Sequence, residues 1–265
     1  MSECTHDCSS CSGGCSIEKD KPNEYSNIKH IVGVISGKGG VGKSTVTASL
    51  AALLARKGYK VGILDADITG PSIPRLFGVS EKAKTTEDYM FPAVSHNGIK
   101  VMSVNLLLPN ENDPVVWRGP VISGVIRQFY KDVAWDELDY LFVDMPPGTG
   151  DAILTAFQYL PLEGVIIVTT PQSLVEMIVK KAEAMAEMMN IPILGYVENM
   201  SYVKCPDCGK EIDLFGKSGY DYKNKLLSRM PLDSEAAKLA DSGKIEMISH
   251  DYLDKAVEAL ENIKE

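Results

Sequence analysis

No uninterrupted apolar run in this chain of 265 residues reaches the length that a membrane-spanning helix needs. The N-terminus is polar and cysteine-rich and lacks the apolar stretch of a secretory signal, so a cytoplasmic protein is expected. Positive charge is in short supply: 27 Lys and Arg stand against 36 Asp and Glu, a net charge of −9. Tracking nucleic-acid phosphates requires a basic footprint, so no nucleic-acid partner is expected. The C-terminal segment Asp251 to Leu260 reads as an amphipathic but acidic helix, unlike the basic helices that lie on anionic lipid, and no membrane partner is expected. Internal repeats are absent. Residues 1–27 hold too little apolar content to fold alone and read as a separate, flexible, cysteine-rich segment that binds a metal or cluster.

From residue 28 to residue 265 the composition changes to that of a single domain with a large core, since 45% of the chain is hydrophobic. Near-continuous apolar runs alternate with helical ones. Strands are expected at Ile31–Ser36, Lys60–Asp65, Ile99–Val104, Tyr140–Asp144, Gly164–Thr169 and Ile193–Val197, with helices such as Gly119 to Lys131 and Ser173 to Met189 between them. Strands that are apolar on both faces belong in a mostly parallel sheet covered by helices on both sides, the α/β doubly wound class. Met177, Met185, Met188 and Met189 read as core or interface packing.

The stretch Gly37-Lys38-Gly39-Gly40-Val41-Gly42-Lys43-Ser44-Thr45 fits G-x-x-x-x-G-K-[ST] and lies between an expected strand and an expected helix. Glycines let backbone N–H groups wrap an anion, and the helix N-terminus adds positive potential. Lys43 is placed to reach the β- and γ-phosphates of ATP, and Ser44 to put a hydroxyl on Mg²⁺. Asp65 and Asp67 stand at the end of the second strand, where ligands bind in open α/β sheets. Asp144 ends another apolar strand and reads as the carboxylate that holds Mg²⁺. Gly148, just beyond it, can bring a backbone N–H to the γ-phosphate. Asn199 follows the last major strand; its amide can donate and accept at once, as the adenine edge requires, but asparagine also caps turns.

Lys38 gives the sequence Lys-Gly-Gly-Val-Gly-Lys-Ser-Thr, which resembles the deviant-Walker-A ATPases of the MinD/ParA/Mrp class. That resemblance implies a face-to-face ATP homodimer in which Lys38 crosses to the partner's nucleotide. It also implies that Asp67 positions the attacking water, that Asp65 supports the metal shell, and that Asn199 and Pro231 bind the nucleotide.

The six cysteines fall in two groups. Cys205-Pro206-Asp207-Cys208-Gly209 is a C-x-x-C knuckle, and two thiolates are too few for a tetrahedral site unless a two-fold dimer brings four together. By itself the knuckle leaves zinc and an iron–sulfur cluster open, beside a disulfide pair or inert thiols. Cys4, Cys8, Cys11 and Cys15 have the spacing C-x3-C-x2-C-x3-C, four ligands in one short loop, again open to a [4Fe–4S] cluster or zinc.

Together with Val116 to Pro120, Glu198 to Ser201 and Pro231-Leu232-Asp233, these motifs are similar from Lys29 to Glu246 to the Mrp/Nbp-type iron–sulfur cluster carrier ATPases. Membership implies an ATP-hydrolysing carrier. Cys205 and Cys208 of two chains would hold a bridging [4Fe–4S] cluster for apo-protein acceptors, working with cluster assembly factors. The contrasting expectation is a regulatory or positioning ATPase of the MinD/ParA type with structural zinc on its cysteines. Trp117 to Pro120 carries no mechanism legible in the sequence.

Overall fold

The structure, a computed structural model, describes residues 18–110, 117, 119–216, 219–223 and 225–263. Its first half runs β1 (Ser26–Ser36), α1 (Lys43–Arg56), β2 (Val61–Asp65), α2 (Ile73–Leu76), β3 (Lys84–Thr85), β4 (Met90–Phe91), β5 (Ala93–Val94), β6 (Lys100–Met102) and α3 (Gly119–Lys131). The second half runs β7 (Asp136–Asp144), α4 (Asp151–Tyr159), β8 (Gly164–Thr169), α5 (Ser173–Met188), β9 (Ile193–Lys204), β10 (Glu211–Ile212), β11 (Leu226–Pro231), α6 (Ser234–Asp241) and α7 (Asp254–Glu261). Among the described residues no helix is long and apolar enough to cross a membrane.

The main sheet has the order β10-β9-β8-β1-β7-β2-β6-β5, with β11 also on β9. All its pairings are parallel except β5 with β6 and β9 with β10. Alternate residues of β1 face opposite layers. Ile31 and Ile35 join Phe129 of α3, Phe157 of α4 and Val179 of α5, while Val32 and Val34 join Leu50 of α1 and Leu260 of α7. Both faces are thus covered, as the apolar strands require, and each fully buried Leu, Ile or Phe contributes about 1.5–3 kcal/mol. Parallel pairing also brings the C-terminal ends of the strands to one edge. Asp65 and Asp144 are direct neighbours across β2 and β7, and Ser36 pairs with Val168 across β1 and β8.

Three expectations need correction. Glu198-Asn199-Met200 does not follow the last major strand; it lies inside β9, which continues to Lys204, and β11 pairs alongside it. The body of the domain begins before residue 28. The Asp20 N–H donates to the Tyr159 carbonyl, Arg127 grips the Asp20 carboxylate through two nitrogens at 2.7 and 2.8 Å, and the Asn23 amide donates to the carbonyls of Lys131 and Val133. Cys4, Cys8, Cys11 and Cys15, the ligands expected in the N-terminal segment, lie outside the described residues. Of the four methionines read as core or interface packing, Met185 is in the core and Met189 packs against it, while Met177 and Met188 lie exposed on the outer stripe of α5. The amphipathic C-terminal helix starts at Asp254, three residues later than read, and buries Ala256, Val257 and Leu260.

Candidate functional site

The phosphate loop leaves β1 at Ser36 and enters α1 at Lys43. Gly40 and Gly42 both have φ of 81°, a region that side chains disfavour. At Gly42 the constraint is double, since a Cβ there would stand 2.2 Å from the Asn199 side-chain nitrogen. The loop, Asp67 and Pro147 line a cavity of about 290 Å³. Lys38, Gly39 and Gly40 are exposed at its rim.

Lys43 does not reach into open space. Its ammonium lies 2.7 Å from Oδ2 of Asp144, a carboxylate fully shielded from solvent. Ser44 Oγ donates to the same oxygen at 2.6 Å, and Thr47 Oγ1 donates to Oδ1 at 2.6 Å. Three side chains of the loop and first helix turn thus converge on the acid at the end of β7. This satisfies a charge that would be costly to bury alone. Thr47 was not singled out in the sequence; its signal is its spacing of four from Lys43, which puts both on one face of α1.

The two other carboxylates separate in role. Asp65 is fully buried and accepts from the Asp67 N–H at 3.2 Å, the Ile73 N–H at 3.3 Å and Ser103 Oγ at 3.2 Å. Burial, then the neighbouring Asp144 charge, push its pKa well above the ordinary carboxylate range. Its oxygens brace the 65–73 turn, and it does not line the phosphate cavity. Asp67 does line that cavity, steadied by Thr69 Oγ1 at 3.3 Å and the Gly70 N–H at 3.2 Å. Burial raises its pKa as well.

On the far side of the cavity, Gly148 has φ of 93° and donates its N–H to the Ser36 carbonyl at 2.9 Å. That N–H is therefore engaged in this state. A Cβ on Gly119 would stand 2.7 Å from a carboxylate oxygen of Asp151, so Gly119 abuts the start of α4, just beyond the Asp144 loop. Arg118 lies outside the described residues.

A second cavity, about 120 Å³, adjoins the first: Gly42 and Thr45 line both. Asn199, Pro231, His250 and Tyr252 are among its other walls. The Asn199 amide is oriented by backbone on both sides. Its nitrogen donates to the Val41 carbonyl at 3.0 Å and its oxygen accepts from the Met200 N–H at 2.9 Å. One N–H and one oxygen lone pair remain for a ligand. Sequence reading did not identify His250 or Tyr252; they come from the loop before α7, and only the fold brings them to the phosphate loop.

The cysteine knuckle is the turn of a β9–β10 hairpin. The Cys205 N–H donates to the Lys210 carbonyl at 2.9 Å, and the Gly209 N–H closes back on the Cys205 carbonyl at 2.8 Å with Gly209 at φ 70°. Cys205 is half-buried and Cys208 exposed. Backbone N–H groups of Cys208 and Asp207 point at the Cys205 sulfur and lower its pKa, which favours the thiolate that a metal or cluster needs. No group of three or more metal-binding side chains occurs among the described residues, so one chain's knuckle offers two thiols and no third ligand. Asn199 lies inside β9, and Cys205, six residues on, directly follows its last residue, Lys204.

A family model described as NUBPL iron-transfer P-loop NTPase, of the ParA group, matches residues 27–265. An iron-sulfur cluster carrier protein of Clostridium perfringens is 48% identical over 256 residues, covering 90% of this chain and 90% of its own. One from Methanocaldococcus jannaschii is 47% identical over 260 residues, covering 92% and 90%. Among solved structures, a nucleotide-binding protein from Archaeoglobus fulgidus in complex with ADP superposes with a TM-score of 0.75 at 46% identity, covering 85% of this chain and 90% of that one. The cell-division ATPase MinD of Pyrococcus furiosus, at 22% identity and a TM-score of 0.64, shares the fold over 89% of this chain and 99% of its own. With a family match across residues 27–265 and relatives almost half identical along nine-tenths of its length, the chain belongs to the NUBPL iron-transfer P-loop NTPases.

Proposed function

We propose that this protein is a cytoplasmic ATP-hydrolysing carrier. It takes up a [4Fe–4S] cluster between the Cys205–Cys208 pairs of two copies and releases it to apo-protein acceptors, in concert with cluster assembly factors. The observation that carries this reading is the placement of both functions on β9: Asn199 forms a wall of the nucleotide cleft, and the thiol pair begins where the same strand ends.

The chemistry follows from the two joined cavities. The triphosphate enters the larger one, and Lys43 exchanges Asp144 for the β- and γ-phosphate oxygens. Ser44 and Asp144, whose oxygens already converge, are the groups to hold Mg²⁺, which neutralises phosphate charge in the transition state. Asp67, on the cavity wall with its Oδ1 steadied by Thr69 and Gly70, orients the attacking water. Lys38, exposed at the rim, is free to cross to a partner's nucleotide. The purine enters the smaller cavity, where Asn199 offers a donor and an acceptor. Because the Asn199 oxygen holds the Met200 N–H, a ligand that pulls on this amide pulls on the strand segment leading to Cys205. Nucleotide state and cluster grip are thereby linked.

Iron counting tests the proposal. In a full-length variant with Cys4, Cys8, Cys11 and Cys15 all changed to Ala, anaerobic reconstitution with iron and sulfide should give about four iron atoms per dimer, the content of one four-iron cluster. Cys205→Ala or Cys208→Ala in that background should abolish it. Tightly bound zinc instead of iron, or a cluster that survives either single change, would overturn the bridging cluster and favour a zinc-stabilised positioning ATPase.

A further inference from the structure

His250 carries the clearest unspent chemistry in the described structure. Both of its ring nitrogens are sealed from solvent, and neither has a hydrogen-bond partner among the described residues. They are the only buried side-chain nitrogen or oxygen atoms of which this is true among those residues. Its own backbone carbonyl is near enough to act on its charge but makes no hydrogen bond with it. Buried polar groups are nearly always paired, and an imidazole left bare in a cavity wall needs an explanation. In the unliganded state the ring stacks on Tyr252 with centroids 4.6 Å apart and planes 26° from parallel. His250 lies in the wall between two cavities: the 120 Å³ one, joined to the phosphate cavity through Gly42 and Thr45, and one of about 530 Å³ on its other side, bounded by Glu235 and Met247.

We infer that, when the purine base enters, the His250 ring turns on its Tyr252 support and brings a nitrogen to the base, a second polar contact beside the Asn199 amide. The inference rests on the nucleotide reading of the cleft given above and adds to it a residue that sets base affinity. A neutral imidazole offers one N–H donor and one nitrogen acceptor, the same pair of functions that Asn199 has left over. Desolvation favours that neutral form, against the pull of Asp233, Asp251 and Asp254. The hydrogen bond stays unmade until a base arrives, so its energy is realised in binding and not in folding. Apolar replacement of the ring should therefore weaken the base contact without loosening the phosphate grip.

Titration calorimetry on the full-length protein separates the two, with ATP and inorganic tripolyphosphate as the probes. Wild type, His250→Phe, His250→Gln and Asn199→Ala are compared. His250→Phe keeps the stack on Tyr252 but has no ring nitrogen. It should weaken ATP about tenfold, the effect of one buried hydrogen bond, and leave tripolyphosphate binding and the unliganded melting temperature unchanged. His250→Gln, which restores a donor and an acceptor, should recover part of the loss. Asn199→Ala should weaken ATP selectively as well. His250→Leu provides the same comparison if the larger ring is not accommodated. ATP affinity within twofold of wild type in the apolar variants, or an equal loss for tripolyphosphate, would overturn the role of His250 alone. Wild-type protein that binds ATP no more tightly than tripolyphosphate would overturn the base cavity itself, and His250 with it.

Discussion

Lys43→Ala should damage this protein before any nucleotide is added. In the unliganded state the Lys43 ammonium lies 2.7 Å from Asp144, which is wholly buried, while Lys43 itself is 6% exposed. Removing one member of a buried ion pair typically costs about 3–5 kcal/mol, because the remaining charge loses its compensation. The low end applies here, since Ser44 and Thr47 still donate to both Asp144 oxygens and water can enter from the phosphate cavity. A loss of about 3 kcal/mol lowers the melting temperature of a domain of this size by roughly 6–12 °C. Asp144→Asn in the Lys43→Ala background removes the orphaned charge and should restore at least half of that loss. The assay is thermal unfolding of nucleotide-free wild type, both single variants and the double variant, read as a double-mutant cycle. ATP turnover should vanish in all three variants, so turnover alone cannot distinguish a lost phosphate ligand from a lost structural pair. A Lys43→Ala protein within about 0.5 kcal/mol of wild type, or additive effects of the two changes, would refute the stored ion pair.

Lys38→Ala should leave ATP affinity of dilute, monomeric protein intact and lower hydrolysis only at concentrations where copies associate; equal loss of affinity in Lys38→Ala and Lys43→Ala monomers would exclude a role across the interface. Asp67→Asn should bind ATP normally and hydrolyse it slowly, a split visible by comparing calorimetric affinity with single-turnover rate; unchanged turnover would remove Asp67 as the water-positioning group. Gly42→Ala should both destabilise and weaken ATP. Its φ of 81° costs a side chain about 1–2 kcal/mol, and the added carbon would displace the Asn199 nitrogen 2.2 Å away. Retention of wild-type ATP affinity in a folded Gly42→Ala protein would show that this contact does not shape the base cavity.

What was legible in the sequence was what is local in the chain. The phosphate loop is nine consecutive residues from Gly37 to Thr45, and α3 runs from Gly119 to Lys131 as the pattern indicated. The end of β9 was missed because Glu198 and Ser201 look like loop residues. In the fold both are buried, since Glu198 accepts from Ser201 Oγ at 2.8 Å, from Arg229 at 3.3 Å and from the Tyr222 hydroxyl. Those partners are up to 31 residues away, beyond any local pattern. The same limit hid Thr47 as a ligand of Asp144, 97 residues on, and His250 and Tyr252 as walls of the base cavity. Asp65, expected to support the metal shell, shows what a motif leaves open. Whether a carboxylate at this strand end faces the cavity or the turn behind it depends on which neighbours claim its oxygens. Here the Asp67 and Ile73 N–H groups and Ser103 claim them, while Asp67, two residues later, faces the cavity. Motif spacing therefore located the cleft, and the long-range hydrogen bonds of β2, β7 and β9 divide its residues between chemistry and support.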